Sequence, residues 1–157
     1  MSSITIAITA KDKKFVVGNN IVRDYNRLKT GIIRLETSFQ YPDGSYIDLF
    51  LLEETMLEQP LEQPSSNKAN INSTTNNTKF LLTDLGNTTN NLLDSHIELW
   101  ATQQARQIVK LICDSLDVDY ENGEFRVFVD EQNETDLSGH ILTLCQACIR
   151  ACYVSPT

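Results

Sequence analysis

The sequence predicts an α+β domain: an antiparallel-rich sheet of about four strands with helices packed mainly on one face. Three observations predict it. Short runs of alternating apolar and polar residues follow one another between turn residues. Two apolar stripes at helical spacing come later in the chain. A polar, repetitive stretch interrupts the strands without any apolar periodicity of its own.

Residues 3–8, Ile-Thr-Ile-Ala-Ile-Thr, alternate and read as a short strand or extended arm. In 19–30, Ile21, Val22, Tyr25 and Leu28 recur at helical spacing, Asn19 or Asn20 offers a cap and Gly31 a stop, which predicts a short helix. Residues 32–39 alternate, Tyr41-Pro42-Asp43-Gly44 supplies a turn, and 45–54 continue as a second strand, so a hairpin is expected. Residues 55–78 contain Leu57-Glu-Gln-Pro60 repeated at once as Leu61-Glu-Gln-Pro64, followed by an Asn/Ser/Thr tract. Such a stretch buries too little apolar surface to offset its ordering entropy, so it reads as a flexible insertion between the second and third core strands. The chain is then one domain, 1–157, carrying that insertion.

Residues 79–83 predict a third strand, 84–87 a turn, and 88–94 a short helix resting on Leu92 and Leu93. Over 96–116, Ile97, Trp100, Ala101, Ala105, Ile108, Leu111, Ile112 and Leu116 share one side of a helix. After a turn at 119–123, residues 124–129 alternate as a fourth strand, and Thr135 or Asp136 can cap a last helix over 136–153.

The net charge of −8 argues against whole-surface binding to nucleic acid. The charge is uneven: residues 1–34 hold seven basic and two acidic side chains, and the rest of the chain six and nineteen. The basic residues Arg23, Arg27, Lys29 and Arg34 are therefore the candidates for nucleic-acid contact. No apolar run is long enough to span a membrane, and the N-terminal order of apolar before basic residues is the reverse of a secretory signal. A cytoplasmic chain is expected.

Cys145, Cys148 and Cys152, with His140 before them, have spacings that invite a zinc reading. Placed on a helix, however, the cysteines continue the stripe of Leu137, Ile141, Leu144 and Ala151, so they read as small buried hydrophobes. Cys113 and His96 form no second Cys-x2-Cys pair, and no metal is implied. Asp43, Asp48 and Asp84 are the candidates for a catalytic carboxylate set, because nucleases hold magnesium with carboxylates from neighbouring strands. A helix followed by a three-strand meander is similar to the start of the restriction-endonuclease-like core. The acidic-x-Lys triplet of that family is incomplete, since Lys79 stands at the wrong end of its strand. There is no Gly-x-Ser-x-Gly, no phosphate-cradling glycine loop, and no motif for a cofactor.

Thr37-Ser-Phe39, Tyr41-Pro-Asp-Gly-Ser-Tyr-Ile-Asp-Leu49 and Phe80-Leu-Leu-Thr-Asp-Leu-Gly-Asn-Thr88 together resemble a bacterial and phage family, domain of unknown function eighteen-twenty-eight. The resemblance covers about residues 33–95. Serine at position 38, where proline is common, and the long insertion depart from the family pattern. The resemblance brings no established activity, and implies a setting in genome conflict, as defence or counter-defence. In the turn, Asp84 can accept backbone hydrogens, Gly86 can take a positive φ and Thr88 can cap the next helix. The leading expectation is a non-catalytic module that binds another protein. The alternative is a nuclease-like protein, active or degenerate, built on Asp43, Asp48 and Asp84.

Overall fold

The computed structural model describes residues 5–10, 13–18, 20–29, 31–55, 78–129 and 134–154. The expected insertion, apart from its two ends, lies outside the described residues. Among these residues are nine strands in two sheets and three helices, rather than about four strands in one sheet.

The first sheet is small. β1 (Thr5–Ala10) and β2 (Lys13–Gly18) form an antiparallel pair in which Ile8 stands opposite Phe15, both fully buried. β9 (Glu134–Asp136) joins β2 in parallel, and Leu137 N donates to Val16 O at 2.8 Å just beyond it. The approach to the last helix is thereby tied to the start of the chain.

The second sheet has six antiparallel strands in the order β3 (Val22–Lys29), β4 (Ile32–Gln40), β5 (Tyr46–Thr55), β6 (Thr78–Thr83), β8 (Glu124–Val129), β7 (Asp119–Glu121). The helix expected over 19–30 is replaced by β3. The register on β4 shifts between Val22 and Asp24 and again between Arg27 and Lys29. Each bulge inserts an extra residue, which stretches a strand's period of two locally to three. Val22, Tyr25 and Leu28 therefore imitate helical spacing in the sequence. Only Val22 is buried; the rest of the strand is exposed.

The hairpin between β4 and β5 forms as its turn residues require. Gly44 takes φ 91°, Gly44 N donates to Tyr41 O at 2.9 Å, and Asp43 Oδ1 accepts from Ser45 N and Oγ at 2.9 and 2.7 Å. Cross-strand registry sorts the sheet into two faces. Ile33, Leu51, Leu82 and Val127 form one row, with Leu35 and Leu49 beside it on the same face. That face enters a core shared with the small sheet, where the Phe15 and Phe80 rings meet edge-on at 4.9 Å. The opposite face carries Arg34, Phe50, Thr83 and Arg126 in one row and Ile32, Leu52, Leu81 and Phe128 in the next.

The helices are α1 (Asn87–Asp94), α2 (Gln103–Leu116) and α3 (Ser138–Ala151). The helix expected from residue 96 starts seven residues later, because Thr102 adopts an extended conformation and its hydroxyl accepts from Ala105 N at 3.0 Å. Ala105, Val109, Ile112 and Cys113 are its buried residues, whereas Leu111 is 68% exposed, so the buried face is rotated from the predicted one. α3 starts inside the predicted bounds. Thr135 and Asp136 stand in β9, Leu137 occupies the cap position, and Asp136 Oδ1 accepts from Ser138 N at 2.9 Å. α3 contacts β2, β6, β8 and α2, with Ile141, Leu144, Cys145 and Cys148 buried. No described helix is long and apolar enough to cross a membrane.

Candidate functional site

The turn after β6 is assembled around one carboxylate. Asp84 is fully buried; its Oδ1 accepts from Gly86 N and Phe125 N at 2.9 and 3.1 Å, and its Oδ2 from Thr88 N at 3.2 Å. The Cys148 thiol donates to Oδ2 across 3.7 Å. Leu85 and Gly86 take left-handed angles, φ 52° and 80°, which wrap the backbone about the carboxylate. Gly86 is the N-cap of α1 and has no side chain to offer, so Asp84 satisfies the helix's first N–H groups instead. Thr88, expected as the cap, sits inside the helix, buried, with its hydroxyl 2.9 Å from Tyr41 Oη.

Burial pushes the Asp84 carboxyl above its ordinary range, although the donors around it pull the other way. Burial likewise pushes up the Tyr41 phenol and the Cys148 thiol, and carries Cys145 to about 12. Asp84, Tyr41, Thr88 and Cys148 form a sealed, mutually bonded cluster. It forms a buried joint between β6, α1, β8 and α3.

The outer side of the same turn is different. The left-handed angle at Leu85 accompanies a side chain that is 38% exposed. Leu85, Thr89, Leu93 and Trp100 line a cavity of about 400 Å³ together with Asn122 and Gly123 of the β7–β8 turn. On the other flank of Trp100, a second cavity of about 350 Å³ is lined by Leu99, Val109, Cys113, Val118 and Tyr120. Arg106, Lys110, Asp114 and Asp119 add charge to this second cavity. Hydrogen bonds tie this surface together. Arg106 Nη1 donates to Trp100 O at 2.6 Å, Leu99 beside it is buried, and Thr89 Oγ1 donates to Gly123 O at 2.8 Å. Thr89 Oγ1 also lies 2.9 Å from Tyr120 Oη, which ties α1 to β7.

A family model described as Domain of unknown function DUF1828 matches residues 60–151, more than half of the chain. The chain belongs to the DUF1828 family. No curated protein and no solved structure matches it. The DUF1828 span contains the Asp84 turn and every residue lining the two cavities. The Thr37–Leu49 part of the resemblance lies before it.

The three carboxylates singled out in the sequence do not converge in this DUF1828 chain. Asp43 is exposed at the hairpin tip, held by Ser45, which keeps its carboxyl below the ordinary value. Asp48 pairs with Arg34 at 2.8 Å on the face of the sheet that also carries Phe50 and Thr83. Asp84, one residue after Thr83, is buried toward the other face, where it meets α3. Among the described residues, no three of His, Cys, Asp and Glu are grouped to hold a metal ion. The cysteines are free thiols; Cys113, Cys145 and Cys148 are buried and Cys152 half-buried. His140 is half-buried in the first turn of α3.

The basic residues lie on strands, not on a helix. Arg23 donates to Thr37 O at 2.8 Å, stacks 3.8 Å over the Tyr46 ring and stands 3.9 Å from Glu36. Arg34 is paired with Asp48, Arg27 donates to Thr9 O at 2.7 Å, and Lys29 is exposed at the end of β3. Sequence reasoning missed the surface around Trp100, because it assigned Trp100 to the buried stripe of a helix. The signal that could have found it is Thr102, a strong cap residue three positions before Ala105.

Proposed function

We propose that this DUF1828 chain is a non-catalytic interaction module that binds another protein through the concave surface around Trp100. One observation carries the reading: Leu85, Leu93 and Trp100, each 37–42% exposed, surround cavities whose backbone is pinned by hydrogen bonds. Large apolar side chains held rigidly beside concavities lose little entropy when covered, which is why tryptophan is enriched among residues that dominate binding. The helices, in this reading, lie mainly on one face of the large sheet and carry the binding surface at its β7 end. The setting in genome conflict, as defence or counter-defence, comes from the family resemblance and suits a protein that acts by engaging another.

The test compares the wild type with Trp100→Ala and Leu93→Ala in pull-downs from a bacterial host lysate, followed by affinity measurement with the recovered protein. Wild type is expected to retain a stoichiometric protein partner. Trp100→Ala should weaken it at least about 30-fold, the scale of a residue that dominates an interface. Equal recovery by all three proteins would refute the reading, as would magnesium-dependent nucleic-acid cleavage that disappears in Asp48→Asn.

A further inference from the structure

We propose that Asn122 is a site of spontaneous deamidation, through a succinimide ring closed onto Gly123, and that the product remodels the cavity wall beside Trp100. Asn122–Gly123 is the one Asn-Gly pair in the sequence. Glycine has no side chain to shield its nitrogen, so this pair closes the ring most readily. Asn122 is exposed at the tip of the β7–β8 hairpin. Both residues have positive φ, 53° and 81°, which defines a type I′ turn between Glu121 and Glu124. A succinimide fixes the asparagine's ψ at about −120°, the angle of the first central residue of a type II′ turn. A two-residue hairpin accepts either turn, and the two differ mainly by rotation of the central peptide. Ring closure therefore leaves the β7–β8 register in place. Among the described residues, no hydrogen bond is made by the Asn122 side chain, the Asn122 C=O or the Gly123 N–H. The Gly123 C=O, held by Thr89 Oγ1 at 2.8 Å, belongs to the next peptide.

The Asp43–Gly44 pair, which can close the same ring by losing water, is an internal contrast. There Gly44 N donates to Tyr41 O at 2.9 Å, and the Asp43 carboxylate is tied to Ser45 N and Oγ. Both reacting groups are held in other bonds, and a carboxylate is the poorer electrophile. At Asn122 the Gly123 nitrogen gives its proton to hydroxide and attacks Cγ. The N–Cγ bond forms, the Cγ–Nδ2 bond breaks and ammonia leaves. Water then opens the ring at either carbonyl. Opening at Cγ gives isoaspartate's isomer, aspartate; opening at the backbone carbon gives isoaspartate, which adds one methylene to the main chain. Either product sets a new carboxylate between Glu121 and Glu124, in the wall of the cavity that Leu85, Leu93 and Trp100 also line. Isoaspartate further lengthens the turn and draws Gly123 O away from Thr89 Oγ1.

The bearing of this change on binding rests on the reading of the Trp100 surface as a docking site, but the chemistry needs no partner, so the two can fail separately. The experiment ages the full chain in mildly alkaline buffer, folded and in guanidinium chloride, and follows it by mass spectrometry after trypsin cleavage. The Leu111–Arg126 peptide holds Asn122 as its only side-chain amide, so a gain of one dalton there reports this site alone. In the folded chain that gain is expected, with isoaspartate among the products and none formed at Asp43. The rate should rise steeply with pH, because the nitrogen attacks after losing its proton. Asn122→Gln should show no gain, since its longer side chain closes the larger ring far more slowly. Conversion should also shift the Trp100 indole resonance. The proposal is overturned if the folded chain keeps its mass while the unfolded one converts. Isomerisation of Asp43 in the folded chain as fast as conversion of Asn122, or an indole resonance unmoved by conversion, would overturn it too.

Discussion

Asp84 shows how a residue that the sequence offers as a catalytic candidate can be structural. Its two oxygens receive three backbone N–H groups and a thiol, and no part of it reaches solvent. Folding raises its pKa above the ordinary 3.8, so the folded state holds the proton more tightly than the unfolded one. The group's contribution to stability is therefore largest below 3.8 and falls as pH rises through the raised value. Asp84→Asn should remove that slope. It also turns an N–H2 group toward the Thr88 N–H, leaving a buried donor unsatisfied at a cost of about 1–3 kcal/mol. Urea unfolding from about pH 4 to about pH 8 checks both expectations: lower stability at neutral pH and a flatter profile than wild type.

Among the elements, α2 and β3 are the instructive pair, since local sequence misdirects in both. Thr102 caps α2 at 3.0 Å from Ala105 N and ends the helical run that Ile97 and Trp100 would otherwise extend. Thr102→Ala should cost about 1 kcal/mol. Because the cap also fixes where the 97–102 loop stops, the variant should broaden the Trp100 indole resonance. An unchanged unfolding midpoint and an unchanged indole signal would show that the loop is held by other contacts. β3 misdirects through its bulges, which convert alternation into a spacing of three. Its identity as a strand rests on its pairing with β4, a long-range surface that local periodicity does not record.

At the scale of the whole molecule, the two sheets and α3 share one core, joined where Phe15 of β2 meets Phe80 of β6. β9 binds β2 in parallel although more than a hundred residues separate them, so the N-terminal hairpin, the large sheet and the last helix are expected to unfold together. Phe15→Ala should destabilise the protein by about 3–5 kcal/mol, with one transition seen by both circular dichroism and Trp100 fluorescence. Two separate transitions would show that the small sheet folds independently.

The sequence by itself determined the elements whose information is local. The Tyr41–Gly44 turn, the alternation of β4 and β8, the strands β5 and β6 between turn signals, and Cys145 and Cys148 on the buried stripe of α3 all follow from turn chemistry and periodicity. The roles of Asp84 and Gly86 were legible for the same reason, since an aspartate accepting backbone hydrogens near a positive-φ glycine is a short-range arrangement. Tertiary structure alone decided the rest. It placed Asp48 and Asp84 toward opposite faces of one sheet, made β3 a strand, and brought Leu85, Leu93 and Trp100 together with the β7–β8 turn. These outcomes depend on which surfaces meet across the fold. Sequence periodicity records which side of an element is apolar, but not what, if anything, will cover it.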